Sequence, residues 1–407
     1  MKMKVLLSAT LISASLIATA QEASRTYAIT GKDKNNFYWA DIKQVDIATG
    51  KVVKSLFESE KTSFKSADLD KSIASVAATA NPTGFGVAAA AFDSRTNRLY
   101  FAPMHFSDIK YLDLSSEEAN FTTVKRNVIP LNTRAGAYQS EDNQLTRMVI
   151  AADGYGYAIS NDGNHMIRFS TSKNGSVEDL GALIDAESNK SISCHNKCTS
   201  WGGDMVADAF GKLIVITANH NIFSIDINTR IATFTGTITG LPNNFTTNGA
   251  VVDDNGDLIV ASATVFEGLY KVNLKDFSAV KMQSTEKPFN AADLANANML
   301  NQKQYDAIAK FNTVKPLTAS VATGSVYPNP VRGNQFNVLF EGQKAGTYSI
   351  VLTDLSGRAL QSNVVNITKG TQTESVRLNN KIAHGMYLVK VLNEGKQIAF
   401  SDKIVIE

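Results

Sequence analysis

Short segments in which apolar and polar residues alternate recur along the first three hundred positions of the chain. Each ends in a polar turn, and alternation with a period of two predicts a half-buried β-strand. Five segments share this form: SDIKYLDL (107–114), NHMIRFST (164–171), HNIFSIDIN (220–228), EGLYKVNLKD (267–276) and ADIKQVDIATG (40–50). Recurrence of this kind predicts one structural unit that is used several times.

A second pattern precedes four of these segments. It is a run of small or branched apolar residues that ends in Asp and is followed by a turn and another apolar strand. The runs are GVAAAAFD (86–93), RMVIAAD (147–153), GGDMVAD (202–208) and GAVVDD (249–254). Each unit is therefore predicted to be a small antiparallel meander. Repeated meanders predict a β-propeller, and small residues suit the innermost strands because these strands crowd around the axis.

Incomplete copies of the unit stand at both ends of this region. The alternating segment at 40–50 has no small-residue run before it, whereas FNAADLANAN (289–298) has no outer strands after it. Pairing the two would close the ring without leaving exposed edge strands, which predicts five blades. A count of six stays open if QYDAIAKF (304–311) forms a strand, or if TYAIT (26–30) is innermost; a helix from 291 to 310 is a further alternative.

A different β unit follows the last repeat. Small polar residues at 313–324 predict a linker, and alternating segments with hairpin turns at Ser356-Gly357 and Glu394-Gly395 then fill residues 325–407. This length and spacing predict a small antiparallel β-sandwich. The predicted fold is therefore all-β, with a propeller over 21–312 followed by the sandwich.

Four motifs stand in a fixed order in the C-terminal unit: YPNPVRGNQFNV, GTYSIVLTDLSGRAL, GMYLVKV and the terminal KIVIE. With them, this unit resembles the type A C-terminal sorting domain of the type IX secretion system. The residues that carry the resemblance are Tyr327, Pro328, Asn329, Pro330, Asp354, Gly357, Arg358, Gly385, Tyr387, Val389, Lys403 and Ile404. Residues 25–310 also resemble uncharacterised propellers that are fused to such domains, which implies no activity.

The resemblance implies a route out of the cell. The chain of a Gram-negative bacterium would cross the periplasm and be recognised by the type IX machinery at the outer membrane. It would then be released, or attached to the cell surface, commonly after the domain is cut off.

The N-terminus has the features of an export signal. Lys2 and Lys4 precede an apolar stretch at 5–17, and the small residues at 18–20 suit signal peptidase. We therefore predict a signal peptide over 1–20. The apolar stretch is shorter than a membrane span requires, and we predict no transmembrane segment here or later in the chain.

Composition narrows the range of partners. The 407 residues are 43% hydrophobic and 19% charged, and 40 Lys and Arg against 38 Asp and Glu leave a formal charge of +2. Such a chain has enough apolar residues for packed cores. Nucleic acid is not an expected partner because no basic run stands out. We expect a monomer.

The segment SCHNKCTSWGGD (193–204) brings Cys194, His195 and Cys198 together. Structural zinc needs four ligands, and no second group of Cys or His lies nearby in sequence. In an exported protein a Cys194–Cys198 disulfide is favoured, with metal binding and free thiols as alternatives. No metal site or cofactor is predicted, although calcium at DDNGD (253–257), which lacks a twelfth-position Glu, stays open as an alternative.

Candidate ligand-binding residues follow from the propeller itself. Ligands of propellers usually bind over the axis, where the loops that lead into the inner strands converge. These loops contain Phe85, Arg147, Trp201, Asn248 and Asn290. Arg147 could hold a carboxylate or phosphate, and Trp201 could stack on a sugar ring. The alternative is that each is a rim residue without a ligand.

No catalytic motif accompanies these residues. The sequence has no nucleophile elbow, no HExxH and no P-loop, and we predict no catalytic residue. The leading hypothesis is a binding module for protein or glycan. The alternative is a secreted propeller enzyme, such as a glycan lyase, a glycosidase or a lactonase-type hydrolase. Asp93, Asp153, Asp208 and Asp253 recur at one strand position, which favours a turn role for them.

Overall fold

A computed structural model describes most of the chain. The described residues are 24–31, 38–66, 71–73, 81–129, 141–172, 175–284, 286–313, 323–355, 357–379 and 382–407. The predicted signal peptide and most of the predicted linker lie outside these ranges. The chain divides into two compact units, 1–302 and 303–407. The boundaries that we predict for the propeller and the linker, at 312 and 324, stay predictions.

The described residues of the N-terminal unit form five sheets, which we call blades 1 to 5. Blade 1 contains β23 (Asp293–Ala295), β1 (Thr26–Thr30), β2 (Asp41–Asp46) and β3 (Lys51–Phe57), in that order from inside to outside. Its inner strand thus comes from the end of the unit and its other strands come from the beginning, because Tyr27 pairs with Ala295 and Ile29 with Asp293. The predicted closure of the ring is confirmed.

The other blades each take their inner four strands from one continuous stretch of chain. Blade 2 contains β6 (Val87–Asp93), β7 (Arg98–Pro103), β8 (Ile109–Asp113) and β9 (Ala119–Lys125), with β4 (Phe64–Ser66) and β5 (Lys71–Ile73) outside them. Blade 3 contains β10 (Leu145–Ile150), β11 (Gly156–Ser160), β12 (Met166–Phe169) and β13 (Val177–Asp179).

Blade 4 contains β15 (Asp204–Asp208), β16 (Lys212–Ile216), β17 (Asn221–Asp226) and β18 (Ile231–Thr237), and β14 (Ile184–Asp185) lies outside them. Blade 5 contains β19 (Gly249–Val252), β20 (Leu258–Ala261), β21 (Tyr270–Val272) and β22 (Ala279–Lys281). A short helix, α1 (Lys197–Ser200), precedes β15.

The inner strands form a closed ring in the order β6, β10, β15, β19, β23 and back to β6. The buried apolar residues group into five clusters in this unit, and each cluster combines residues of two successive blades. The order of the inner strands and the packing of the side chains therefore both describe blades that stack face to face around one axis, as a propeller requires. The predicted fold class is confirmed.

The alternatives to five blades are not realised. TYAIT forms β1, which lies between β23 and β2 and is therefore not innermost. QYDAIAKF lies within the helix α2 (Gln302–Thr313) and adds no strand. The helix that could have begun at residue 291 begins only at Gln302, because residues 293–295 are the inner strand of blade 1.

The C-terminal unit is a sandwich of two antiparallel sheets. One sheet has the order β24 (Thr323–Tyr327), β25 (Gln335–Glu341), β28 (Thr371–Arg377); the other has β27 (Ala359–Ile367), β26 (Gly346–Thr353), β29 (Gly385–Leu392), β30 (Ile398–Ile406). Apolar residues from both sheets form one core, which includes Phe336, Phe340, Ile350 and Val389. Period-two alternation along each strand supplies these inward-facing residues.

Candidate functional site

The end of the propeller at which the chain enters the inner strands is here called the axial face. Phe85 lies there, before β6, and its side chain is 43% exposed. The pairing of Val87 with Pro103 brings the loop after β7 beside it. Phe106 in that loop meets Phe85 edge to face, with 5.2 Å between the ring centroids. The two rings form an aromatic pair on the axial face.

Trp201 lies on the same face, before β15, and is half-buried. Its indole Nε1 donates a hydrogen bond to the carbonyl oxygen of His195 (3.1 Å), and the Lys197 ammonium lies 4.8 Å from the ring centroid. Asn248, which precedes β19, is also half-buried. These two side chains, with Phe85, are the predicted ligand-binding residues that the fold leaves open to solvent.

Arg147 does not reach the surface. It is 2% exposed, and its guanidinium donates to the carbonyl oxygens of Ser160, Ser200 and Gly202. Burial lowers the pKa of Arg147 to about 10, which still leaves it a cation at neutral pH. The expectation that it holds a carboxylate or phosphate is corrected here: its donors bind backbone oxygens and tie β10 to the loop before β15.

Asn290 is the second predicted residue that is not available to a ligand. It is 1% exposed; its Oδ1 accepts from the backbone N–H of Gly31 (3.3 Å), and its Nδ2 donates to the carbonyl oxygen of Ala263 (2.9 Å). The side chain therefore joins the loops of blades 5 and 1 near the closure of the ring. Its amide stabilises the loop instead of facing solvent.

Two buried carboxyl groups lie at the axis. Asp204 and Asp293 are the first residues of β15 and β23, and both are 0% exposed. Asp204 accepts from the backbone N–H groups of Met205 (2.6 Å), Ala250 (2.6 Å) and Leu294 (3.3 Å). It thereby contacts three inner strands of the ring, those of blades 4, 5 and 1.

Asp293 has no comparable set of donors. Asp204 and the amide of Ala90 lie close to it, but within the described residues no donor reaches either carboxylate oxygen with good hydrogen-bond geometry. Burial raises the pKa of Asp204 to about 8, and burial together with the charge of Asp204 raises that of Asp293. Two buried carboxylates side by side repel each other, so the pair favours sharing a proton.

The sequence pattern did not indicate this carboxyl pair. It drew attention to the Asp residues at the opposite ends of the inner strands, which act in turns as predicted. The carboxylate oxygen of each accepts from the backbone N–H two residues later: Asp93 from Arg95, Asp153 from Tyr155, Asp208 from Phe210 and Asp253 from Asn255. The sequence feature that could have indicated the carboxyl pair was an Asp among small residues at the start of an inner strand.

The fold places Asp204 through the glycines before it. Gly203 has a φ of +96°, a backbone conformation that favours glycine, and a Cβ there would collide with the carbonyl oxygen of Ile216. The chain can therefore pass close to β16 and begin β15 with the Asp204 carboxyl group at the axis.

Cys194 and Cys198 are both free thiols in this structure. Cys194 is 6% exposed and lies in the core between blades 3 and 4, whereas Cys198 is exposed on α1. The predicted disulfide between them is therefore not formed here, because the Cys194 side chain points into the core and Cys198 faces solvent. The pairing stays a prediction.

Cys194 has other neighbours that the sequence did not indicate. One ligand atom each of Asp185, Cys194 and His195 lies within 4.8 Å of the other two. Burial and the Asp185 carboxylate raise the pKa of the Cys194 thiol. Burial acts to raise the pKa of Asp185 too, but hydrogen bonds from Ser193 and from the Cys194 amide outweigh it and lower that pKa.

In the C-terminal unit, Asn329 of the YPNP motif joins the two ends of the sandwich. Its Nδ2 donates to the carbonyl oxygen of Lys403 (2.7 Å), and its Oδ1 accepts from the backbone N–H of Val405 (2.9 Å). Just after the motif, Val331 bridges to Ile406. Tyr327, Pro328 and Pro330 flank Asn329 at the end of β24. The first and last motifs of the unit are therefore one structural element.

The Asp-x-x-Gly-Arg motif is a hairpin turn between β26 and β27. The Asp354 carboxylate accepts from the backbone N–H of Arg358 (3.0 Å) and from its Nε (3.1 Å). Gly357 supplies the positive φ, +84°, that the turn requires.

The Gly-x-Tyr motif fixes the start of a strand. At Gly385, where β29 begins, the Tyr387 hydroxyl donates to the carbonyl oxygen of Ala383 (2.6 Å). In the related segment GTY, the Tyr348 hydroxyl donates in the same way to the backbone carbonyl oxygen of Lys344 (2.9 Å). The motif residues Val389 and Ile404 lie in the core of the sandwich, and both are 0% exposed.

Residues 325–407 match the family described as "Secretion system C-terminal sorting domain". These residues are a type IX sorting domain. The sorting domain makes the chain a cargo of the type IX secretion system, and secretion by this system leads to the cell surface or the medium. In the described part of the chain, no helix is both long enough and apolar enough to cross a membrane.

The chain is similar to several solved structures. One is PorZ of Porphyromonas gingivalis, a surface component of the type IX secretion system (14% identity, TM-score 0.31, covering 94% of this chain and 51% of PorZ). Another is the nidogen/laminin complex (11% identity, TM-score 0.36, covering 84% and 92%). A third is virginiamycin B lyase of Staphylococcus aureus (11% identity, TM-score 0.33, covering 95% and 96%).

This chain spans about half the length of PorZ. The three TM-scores are low, and none of these likenesses carries an argument about the activity of this chain. No curated protein shows significant similarity to the sequence.

Proposed function

We propose that the propeller is a binding module that the sorting domain carries out of the cell, and that its axial face binds protein or glycan. The observation that carries the proposal is a contrast on this face. Aromatic side chains stand open to solvent there, whereas the carboxyl groups at the axis, Asp204 and Asp293, are completely buried.

The exposed aromatic groups suit both classes of ligand. The Phe85–Phe106 pair offers an apolar contact, and Trp201 with the nearby Lys197 offers a ring face beside a cation. Aromatic rings supply much of the contact energy at protein interfaces and stack on sugar rings at glycan sites. A rigid ring of blades holds these groups on one surface.

Catalysis has less support. A glycosidase or lyase needs carboxyl groups that reach the substrate, and a pair at short range is the usual arrangement. Asp204 and Asp293 lie side by side, but both are 0% exposed and do not reach solvent. We therefore propose no reaction.

We further propose the route that the N-terminus and the sorting domain suggest together. The signal peptide at 1–20 would bring the chain into the periplasm, and the sorting domain would then engage the type IX machinery at the outer membrane. The monomeric propeller would end on the surface or free in the medium.

The test is a binding screen of the full mature chain against arrays of glycans and extracellular proteins. For a retained ligand, Phe85→Ala or Trp201→Ala should weaken binding about tenfold or more, as at a contact hot spot. Phe210→Ala is the matched control: Phe210 is similarly exposed, at 41%, but lies after β15 and therefore at the opposite end of the propeller. No saturable binding, or equal losses with the control, would contradict the proposal.

A further inference from the structure

The cluster of Asp185, Cys194 and His195 lies at the outer side of blade 4, and two separate features of the fold assemble it. Asp185 belongs to β14, which pairs in parallel with β18 so that Asp185 stands opposite Ala232. Cys194 and His195 lie in the turn before α1, whose first N–H groups are capped by Asn196. The cluster thus combines a sheet edge with a capped turn, and both hold their side chains in place.

Hydrogen bonds hold the Asp185 carboxylate in place, among them one from the side chain of Ser193. Oδ1 accepts from the backbone N–H of Cys194 at 2.8 Å, and the Nδ2 of Asn189 lies 3.4 Å away. These contacts fix the carboxylate beside the thiol. They orient it as the surrounding groups of metal sites orient a carboxylate ligand.

His195 has an unusual pair of neighbours. Its Nδ1 lies 2.7 Å from the carbonyl oxygen of Asp162, and its Nε2 lies 3.2 Å from that of Leu183. Both oxygens are acceptors, and a neutral imidazole has one N–H, so only one of the two contacts is then a hydrogen bond. The other nitrogen then turns its lone pair toward a carbonyl oxygen, which is a repulsive contact because neither atom can donate. A metal-binding histidine usually has one nitrogen bound to a backbone carbonyl, and metal binding through the second nitrogen requires the ring to turn away from the oxygen that faces it.

We propose that Asp185, Cys194 and His195 bind a divalent metal ion of the zinc class. One thiolate, one imidazole and one carboxylate are a ligand set that suits Zn²⁺, whereas Ca²⁺ and Mg²⁺ prefer oxygen ligands only. The thiolate and the carboxylate supply two negative charges, which balance the charge of the ion at a partly buried position. Three protein ligands leave a fourth position for water or for a ligand atom.

The proposed site excludes the predicted disulfide. Cys194 can ligate a metal only as a thiolate, and a bond to the sulfur of Cys198 would remove that thiolate. The two cysteines therefore have different roles: Cys194 is a ligand and Cys198 is not. This difference supplies a matched pair of variants, because both replace a Cys by Ser and the two positions are close in sequence.

The experiment uses the full mature chain, reduced and freed of metal by a chelator. Titration with Zn²⁺ followed by calorimetry should show one ion per chain, and excess Ca²⁺ should not displace it. Co²⁺ in place of Zn²⁺ should give the absorption band of a thiolate–cobalt bond. Cys198→Ser should leave both results unchanged, whereas Cys194→Ser should abolish the band and weaken Zn²⁺ binding about tenfold or more.

Asp185→Asn and His195→Gln should also weaken Zn²⁺ binding, with the band retained at higher Co²⁺ concentration. Tryptophan fluorescence of each variant reports whether the propeller is folded, since Trp39 and Trp201 are the two tryptophans of the chain. Two outcomes would overturn the proposal: no stoichiometric binding by the folded wild-type chain, or binding that Cys194→Ser and Cys198→Ser weaken equally.

Discussion

The propeller and the sorting domain are both built from antiparallel strands, but they use polar residues differently. In the sorting domain the polar motif residues are mostly at the surface and make turns or join strand ends, as Asn329 does with Lys403 and Val405. In the propeller the most constrained polar groups, among them Asp204 and Arg147, are buried and contact segments of other blades.

This difference explains why short sequence motifs reveal the polar contacts of the sorting domain but not those of the propeller. A turn such as Asp354–Arg358 needs particular residues at particular spacings, and any chain that makes the turn shows the same short motif. A buried contact such as that of Arg147 with Gly202 joins residues that are distant in sequence. The sorting domain can therefore be identified from its motifs, whereas the buried contacts of the propeller are visible only in the structure.

The largest effect is expected when the sorting domain is deleted and the propeller is left alone. Deletion of residues 325–407 should abolish delivery to the surface or medium and leave a folded propeller in the periplasm, because these residues are the sorting domain. Cell fractionation and protease accessibility measure the location, and the fluorescence of the two tryptophans, both in the propeller, measures its folding. The full-length chain is the control. Undiminished delivery of the truncated chain would show that the propeller contains its own secretion signal.

The next effect concerns the carboxyl pair at the axis. The folded-state pKa of Asp293 is raised, so the folded chain holds a proton that the unfolded chain releases above about pH 4. The free energy of unfolding of the wild type should therefore be highest near pH 4 and fall as the pH rises toward 8. Asp293→Asn keeps a similar shape without a titrating group, so the variant should be more stable than the wild type at pH 8.

Denaturant unfolding followed by tryptophan fluorescence at pH 4, 6 and 8 measures this difference. At pH 4 we expect the variant and the wild type to be nearly equal. Asp276→Asn is the control, since Asp276 is exposed in a turn where Asn can accept the same hydrogen bond from Ser278. Equal pH dependence of Asp293→Asn and wild type would mean that the axis holds no shared proton.

The smallest effect tests the surface role of polar residues in the sorting domain. Asn329→Ala removes two hydrogen bonds to the last strand and should destabilise that unit by about 1–2 kcal/mol. Hydrogen exchange of β30 should become faster, while the exchange of the propeller strands stays unchanged. Asn366→Ala, at an exposed position of β27, is the control and should leave the exchange of β30 as it is. Protection that survives Asn329→Ala would show that Val331 and Ile406 suffice to join the ends.

Several parts of the fold could be predicted from the sequence because they repeat or are local. The small-residue runs marked every inner strand, including that of blade 1, and the incomplete copies at the two ends indicated how the ring closes. The turn role of Asp93 and its counterparts followed from their recurrence.

The candidate site was harder to predict, because position along a strand does not determine where a long side chain points. Phe85 lies just before an inner strand and Arg147 lies in the first half of another, but Arg147 turns inward to backbone carbonyls and Phe85 stays exposed. Asp185 was missed because it is nine positions before Cys194, in a segment without a motif. The parallel pairing of β14 with β18 brings it to the cysteine.

The amino-acid sequence alone determined the all-β class, the repeated units of a propeller and the type IX sorting domain, because periodicity and turn motifs depend on residues close together in the chain; the choice of five blades over six came from the structure. Only the tertiary structure decided which polar groups are buried and which meet. Asp204 meets Asp293 across the axis, and Cys194 meets Asp185, because the closing of the ring and the packing of its outer strands bring together residues that no local pattern connects.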